Sequence, residues 1–144
     1  MNTSTMLWQP SPQRIAQTQL SDWQHWLKEN HGLQFASYDD LHHWSITNRA
    51  DFWKSIANYF SVKFHQKPSA TLGADTMPGA EWFPHSTLNF AEHLLRFRDD
   101  KPALISYLEN GERRELSYYA LYHQVAKLAH WMQQKGITQG DRVV

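Results

Sequence analysis

A regular apolar stripe near the C-terminal end of the 144-residue sequence constrains the fold more than any other feature. Apolar residues recur there at steps of four, three and four, which is the spacing of one helical face. Ser117 precedes the stripe and is suited to accept a backbone N–H of the first turn. Gly136 follows it and suits the left-handed residue that ends a helix. The stripe consists of Leu121, Val125, Leu128 and Met132.

Strand signals flank this helix on both sides. Residues 103–108 are mainly apolar, and residues 113–116 return after Asn110 and Gly111, a pair that strongly favours a β-hairpin. Residues 142–144 follow a Gly-Asp turn and predict the start of another strand. A strand so short cannot complete a crossover unit, whose sheet is covered on both faces. We therefore expect the chain to be the front part of a longer protein.

The first sixty residues predict a cluster of short helices. The helical pattern of apolar residues is interrupted at each residue suited to cap a helix. An acidic residue in a first turn, such as Asp51, complements the helix dipole. Helix starts are predicted at Ser11, Ser37 and Asn48, with Ser37 and Asp40 spaced as a capping box, and the second helix is predicted to end at Gly32. The second helix is marked by Leu20, Trp23 and Leu27, and the apolar faces of the next two are predicted to carry Leu41, Trp44, Phe52, Ile56 and Tyr59 or Phe60.

Residues 61–87 change character, because five prolines and glycines interrupt any periodicity. We expect a long loop attached to a surface, with a brief strand over residues 62–64. A helix over residues 88–97 is then expected, capped by Ser86 or Thr87. Together the patterns predict an α+β fold with three regions. They are a helical N-terminal extension over residues 1–60, a loop-rich connector over 61–102, and the incomplete first part of a larger domain over 103–144.

Composition excludes several classes of function. The 14 basic and 14 acidic residues balance, which gives no electrostatic reason to expect binding to nucleic acid or to an anionic membrane. No apolar run approaches the roughly 18 residues of a membrane span, and the N-terminus lacks a signal-peptide pattern. The absence of cysteine excludes disulfides and thiolate sites, and it fits a cytoplasmic protein.

No catalytic, cofactor-binding or metal-ligating residue is predicted. The nine histidines include the adjacent His42 and His43, which diverge on a helix, and His123 and His130, which lie two turns apart. Neither a nucleophile elbow nor a glycine-rich phosphate loop occurs. The chain is instead rich in aromatic residues. We expect the core of the helical cluster, or its seam against a further domain, to hold Trp23, Trp44, Phe52 and Trp53, and the alternative is a face that binds carbohydrate or a partner.

Several segments resemble the opening of acyl-CoA synthetases of the adenylate-forming superfamily. They are WFP at 82–84, LNFAEHLL at 88–95, KPALI at 101–105 and GDRVV at 140–144, and LSYYAL at 116–121 is similar to the superfamily's first core motif. That motif usually has Glu where this chain has Ala120. The branch that activates acetoacetate looks most similar, through LWQPSP at 7–12, YDDL at 38–41 with WS at 44–45, and MPGAEWFP at 77–84.

The resemblance implies the N-terminal region of an acetoacetate–CoA ligase that forms AMP and acts in lipid metabolism. The full-length enzyme would use ATP, Mg²⁺ and coenzyme A, whereas this region would lack the catalytic motifs and be inactive alone. Its partner would be the remainder of its own large domain, and its open sheet edge would favour self-association. The alternatives are an acetyl- or propionyl-CoA synthetase N-terminal region and a non-enzymatic, aromatic-rich interaction module.

Overall fold

The computed structural model describes residues 7–144, and sequence predictions for residues 1–6 lie outside the described part. The described chain forms two compact units, the first ending at Leu88 and the second spanning Asn89–Val144. Within residues 7–144, six helices and two strands follow one another as α1 Pro12–Ala16, α2 Gln19–His31, α3 Tyr38–Thr47, α4 Arg49–Tyr59, α5 Phe90–Leu94, β1 Pro102–Tyr107, β2 Arg113–Ser117 and α6 Tyr118–Gln134. The α+β fold class is confirmed.

Local side chains begin and end the helices of the first unit. The Ser11 hydroxyl accepts the Arg14 backbone N–H at 3.2 Å, and the Ser37 hydroxyl accepts that of Asp40 at 3.1 Å. Gly32 ends α2 with φ +66°, a left-handed conformation that glycine adopts without strain. These predicted boundaries are therefore confirmed, and they arise from contacts within three or four residues.

The core of the first unit lies among α2, α3 and α4. Trp23, Leu27 and Leu41 are buried, and partly buried aromatic and aliphatic residues pack around them. The Trp23 and Phe52 rings pack edge to face with their centres 5.7 Å apart, and the Trp44 and Phe52 rings do the same at 6.0 Å. Such tilted contacts suit the ring quadrupoles, so each pair stabilises the cluster beyond its buried area.

Residues 65–87 form an irregular ribbon whose two arms are joined by antiparallel bridges. The ribbon is attached to α4 at two points. The Trp82 ring packs against the Trp53 ring at 5.8 Å, and Arg49 forms an ion pair with Asp75. The prediction of a loop attached to a surface is confirmed.

The second unit consists of a short helix, a hairpin and one long helix. β1 and β2 pair antiparallel, with Ile105 opposite Glu115 and Tyr107 opposite Arg113. The Ser117 hydroxyl accepts the Ala120 backbone N–H at 3.2 Å and begins α6 directly after β2. The predicted hairpin, cap and helix are confirmed.

Four local predictions are wrong. The strand over residues 62–64 does not form, because Ser61 turns the chain with φ +51° and the Phe64 ring packs on Phe83. Helix α5 is shorter than residues 88–97, since its cap is Asn89, whose side chain accepts the Glu92 N–H at 3.0 Å, rather than Ser86 or Thr87.

Residues 142–144 form the third exception, since they are not a strand and pair with no described segment. Asn48 also departs from its predicted role. It precedes α4 but makes no side-chain cap, because its amide nitrogen turns back to the Trp44 carbonyl and the Thr47 hydroxyl. The predicted division after residues 60 and 102 remains a prediction about the full-length protein.

Candidate interface on the second unit

The second unit has an amphipathic helix and a hairpin but no fully buried side chain among residues 89–144. Leu128 and Trp131 on α6 expose 53% and 52% of their surface. Ile105 and Tyr107 on β1 expose 50% and 74%. Scattered apolar residues are normal on a protein surface, but exposed apolar side chains on both α6 and β1 of a unit without a buried side chain indicate an interaction site.

An apolar groove lies in the same unit, between α5, β1 and α6. Its volume is about 340 Å³, and Tyr118 is the only one of its lining residues with a polar side-chain atom. A groove of this chemistry accepts aliphatic or aromatic side chains and offers nothing that would hold a phosphate. The groove is lined by Ala91, Leu94, Leu95, Ala103, Leu104, Tyr118, Leu121 and Val125.

Aromatic and cationic side chains hold the rim of this unit together. The Phe97 ring packs against the Tyr118 ring at 6.0 Å, and the Arg98 guanidinium lies 3.9 Å from the centre of the Tyr122 ring. The His123 ring packs edge-on against Tyr119 at 4.4 Å. These contacts fix the N-terminal half of α6, whereas Leu128 and Trp131 lie beyond them.

Charges on the hairpin are paired along β2. The Arg114 side chain donates to Glu112 at 2.7 Å, and this hydrogen bond is the main cause of the lowered pKa of Glu112. Tyr107 hydrogen-bonds the Arg113 side chain at 3.2 Å and, with Glu115, raises the pKa of Arg113. Because all these side chains are exposed, the shifts reflect surface ion pairs and not a tuned catalytic group.

The predicted aromatic core of the first unit is largely confirmed. Trp23 is buried, and Trp44 and Phe52 pack against it, whereas Trp53 is 43% exposed and contacts Trp82. A cavity of about 400 Å³ opens beside this core. Its one hydroxyl, that of Ser55, donates to the Phe52 carbonyl at 2.7 Å, so it is already engaged. The cavity is lined by Leu27, His31, Leu33, Trp44, Asn48, Asp51, Lys54 and Ser55.

The histidines singled out in the sequence do not converge. His130 is hydrogen-bonded to Gln134 on its own helix at 2.9 Å, and His42 stacks on Tyr38. Across residues 7–144, no group of three or more His, Asp or Glu side chains is arranged to hold a metal ion. That no residue of this chain takes part in catalysis or holds a cofactor or metal remains a prediction.

Of the two exposed apolar residues on α6, the sequence pattern indicates Leu128 but not Trp131. The stripe at Leu121, Val125 and Leu128 was found by its period, but Trp131 was not included because it falls one position before Met132. A tryptophan beside an apolar stripe widens the apolar face of the helix, and this could have indicated that the face packs against another part of the protein. None of the helices in residues 7–144 is long and apolar enough to cross a membrane.

Comparisons with known proteins give one consistent result. Residues 38–94 match the family described as acetyl-coenzyme A synthetase N-terminus. The chain is 32% identical to an acetoacetyl-coenzyme A synthetase of Rhizobium meliloti over 99% of its own length and 22% of the relative. It is 32% identical to the acetoacetyl-CoA synthetase of Rattus norvegicus over 96% of its length and 21% of the relative.

A solved structure agrees with these sequences. The acetoacetyl-CoA synthetase from Streptomyces lividans matches with a TM-score of 0.85 and 43% identity, over 96% of this chain and 22% of that one. The chain therefore spans about a fifth of the length of the relatives it matches. In sequence and in fold, it is similar to the N-terminal region of these acetoacetyl-CoA synthetases.

Proposed function

We propose that this chain is the N-terminal region of an AMP-forming acetoacetate–CoA ligase. The observation that carries the proposal is continuous similarity, over 96–99% of the chain, to relatives named acetoacetyl-CoA synthetase. The full-length enzyme would convert acetoacetate, ATP and coenzyme A to acetoacetyl-CoA, AMP and pyrophosphate. A cytoplasmic role in lipid metabolism is proposed with it, since ATP and coenzyme A are intracellular substrates.

The chemistry belongs to residues outside this region. The groove of the second unit is apolar, and residues 7–144 include no glycine-rich phosphate loop, so the described residues do not fit ATP, Mg²⁺ or coenzyme A. When bound elsewhere in the enzyme, Mg²⁺ would offset charge on the phosphates during adenylation. We therefore expect residues 1–144 alone to be inactive.

The role proposed for this region is structural. Its second unit presents Leu128, Trp131 and the apolar groove, which the remainder of the large domain would cover. Burying apolar surface contributes about 25 cal/mol per Å², so this area supplies a substantial driving force for docking. Small-molecule substrates would bind only in the completed enzyme.

An acetyl- or propionyl-CoA synthetase is the second candidate, favoured by the description of the family matched at residues 38–94. The relatives that match almost the whole chain support acetoacetate instead. A non-enzymatic interaction module is less consistent with similarity that extends across both units.

A substrate panel on the full-length protein tests the proposal. AMP release would be measured with acetoacetate, acetate or propionate at equal concentration, in the presence of ATP, Mg²⁺ and coenzyme A. We expect the highest kcat/KM with acetoacetate. Residues 1–144 alone are the control and should release no AMP with any of the three acids. A preference for acetate or propionate would contradict the assignment of substrate.

A further inference from the structure

The two free edges of the hairpin differ in chemistry. We propose that the outer edge of β1 pairs with a further β-strand of the full-length chain, and that β2 is the terminal edge of that sheet. The inference rests on the proposed function, because it assumes a longer polypeptide. It adds the site and direction in which the sheet grows.

The register shows which backbone groups are free to pair. The Leu108 N–H donates to the Glu112 carbonyl at 2.9 Å where the turn closes, so these two residues form a hydrogen-bonded pair. Hydrogen-bonded pairs alternate along an antiparallel ladder. Ser106 and Leu104 consequently bond to β2, while the N–H and C=O groups of Ile105 and Tyr107 point to the open edge.

The same alternation applies to β2. Arg113 and Glu115 lie opposite Tyr107 and Ile105, so their backbone groups point away from β1. Each strand therefore presents two residues with outward backbone groups. What distinguishes the two edges is the side chains that surround them.

Over residues 104–107, where its register with β2 is regular, β1 carries none of the charges or prolines that prevent an edge from pairing. Its six residues PALISY carry no charge, and its apolar residues lie on both faces, which is typical of a strand inside a sheet that is covered on both faces. Pro102, which lacks an N–H, stands at its first position, where it does not interrupt the exposed ladder.

β2 carries the protection that natural edge strands use. Three of its five residues, RRELS, are charged, and they are held in ion pairs that run along the strand. Arg113 pairs with Glu115, and Arg114 pairs with Glu112 of the turn. Charged side chains on an edge oppose the addition of another strand, because pairing would remove them from water.

A strand of the same polypeptide is the occupant that fits best. The matched relatives are about five times as long as this chain, so most of the large domain lies outside it. The partner strand is expected to be uncharged and mainly apolar, like β1. A second copy of the chain is the competing occupant, and the experiment separates the two.

A matched pair of proline substitutions in the full-length enzyme tests the inference. Ile105→Pro and Glu115→Pro each delete one outward N–H and leave the β1–β2 hydrogen bonds in place. We expect Ile105→Pro to lower the thermal midpoint by several degrees or to abolish soluble expression. Glu115→Pro should stay close to the wild-type midpoint.

Three results would overturn the inference. They are equal effects of the two prolines, a larger effect of Glu115→Pro, or a wild-type dimer in sedimentation that Ile105→Pro converts to an active, equally stable monomer. The last result would assign the β1 edge to a second copy. Wild-type turnover of acetoacetate tests the proposed function separately, and none of these results alters it.

Discussion

Leu27 is the residue on which the helical cluster of the first unit is centred. It is the largest side chain with no exposed surface, and Trp23 and Leu41 join it in the core. Packing at such a position is close to that of an organic crystal, so a lost side chain leaves a cavity that the neighbours fill only partly.

We expect Leu27→Ala to lower the free energy of unfolding by about 2–5 kcal/mol. Leu20→Ala is the matched control, because Leu20 lies on the same helix and is 42% exposed. Urea unfolding followed by tryptophan fluorescence measures both changes, since Trp23 lies in the same core. Equal losses for the two variants would show that the core is not centred on Leu27.

Glu112 provides a prediction about pH at the same scale. The hydrogen bond from Arg114 lowers the pKa of Glu112 in the folded hairpin, with a smaller contribution from Asn110. Because the pKa is lower in the folded than in the unfolded chain, this contact stabilises the hairpin at any pH above the unfolded glutamate pKa of about 4.3. The stabilisation is lost as the pH falls through the lowered value.

An NMR titration between pH 7 and pH 2 measures this effect on the Glu112 carboxyl group. We expect a midpoint below that of an unstructured peptide, and the Arg114→Gln variant should move it back toward the ordinary value. An unchanged midpoint in Arg114→Gln would show that the ion pair does not form in solution. The effect on stability should be small, since the pair is exposed.

At the scale of elements, α6 depends on one hydroxyl for its start. Ser117 is the last residue of β2 and also the N-cap of α6, so the strand leads directly into the helix. We expect Ser117→Ala to cost about 1 kcal/mol of stability. Ser117→Asp should retain most of the stability, because a carboxylate can accept the same N–H and also favours the helix dipole.

Urea unfolding followed by far-ultraviolet circular dichroism distinguishes these variants. If Ser117→Ala and Ser117→Asp unfold at the same urea concentration as wild type, the cap contributes nothing. Such a result would also weaken the interpretation that the strand and helix form one continuous motif.

Elements determined by local contacts were predictable from the sequence, whereas those determined by distant contacts were not. Ser11, Ser37 and Ser117 cap as predicted because each hydroxyl meets an N–H three residues away. Asn48 has the right type and position, but a competing bond to the Trp44 carbonyl turns it away.

The same reasoning explains the remaining errors. Apolar and polar residues alternate at 62–64 as in a strand, yet this segment pairs with no described strand, and Phe64 packs against Phe83 instead. The apolar groove could not be predicted, because α5, β1 and α6 come together only through tertiary contacts. Its α6 contribution was visible as a helical stripe.

At the scale of the whole molecule, the exposed apolar surface of the second unit makes a prediction about association. We expect residues 1–144 alone to self-associate as concentration rises, since Leu128 and Trp131 have no cover. The double variant Leu128→Lys with Trp131→Lys should weaken association. Gln124→Lys with Gln133→Lys adds the same charge elsewhere on α6 and is the control.

Sedimentation velocity over a range of concentrations measures this association. Wild type and the control pair should show a rising weight-average sedimentation coefficient, and the double variant on the apolar surface should show a flat one. A monomer at all concentrations in wild type would contradict an uncovered interface.

Hydrogen exchange measured by mass spectrometry on residues 1–144 and on the full-length protein shows whether the second unit is covered by the rest of the enzyme. We expect peptides covering β1 and α6 to exchange much more slowly in the full-length protein, because the remainder of the large domain covers them. Peptides from α2, whose Leu27 is already buried, should change little. Identical exchange of β1 and α6 in both proteins would contradict the claim that this chain is one part of a larger ligase domain.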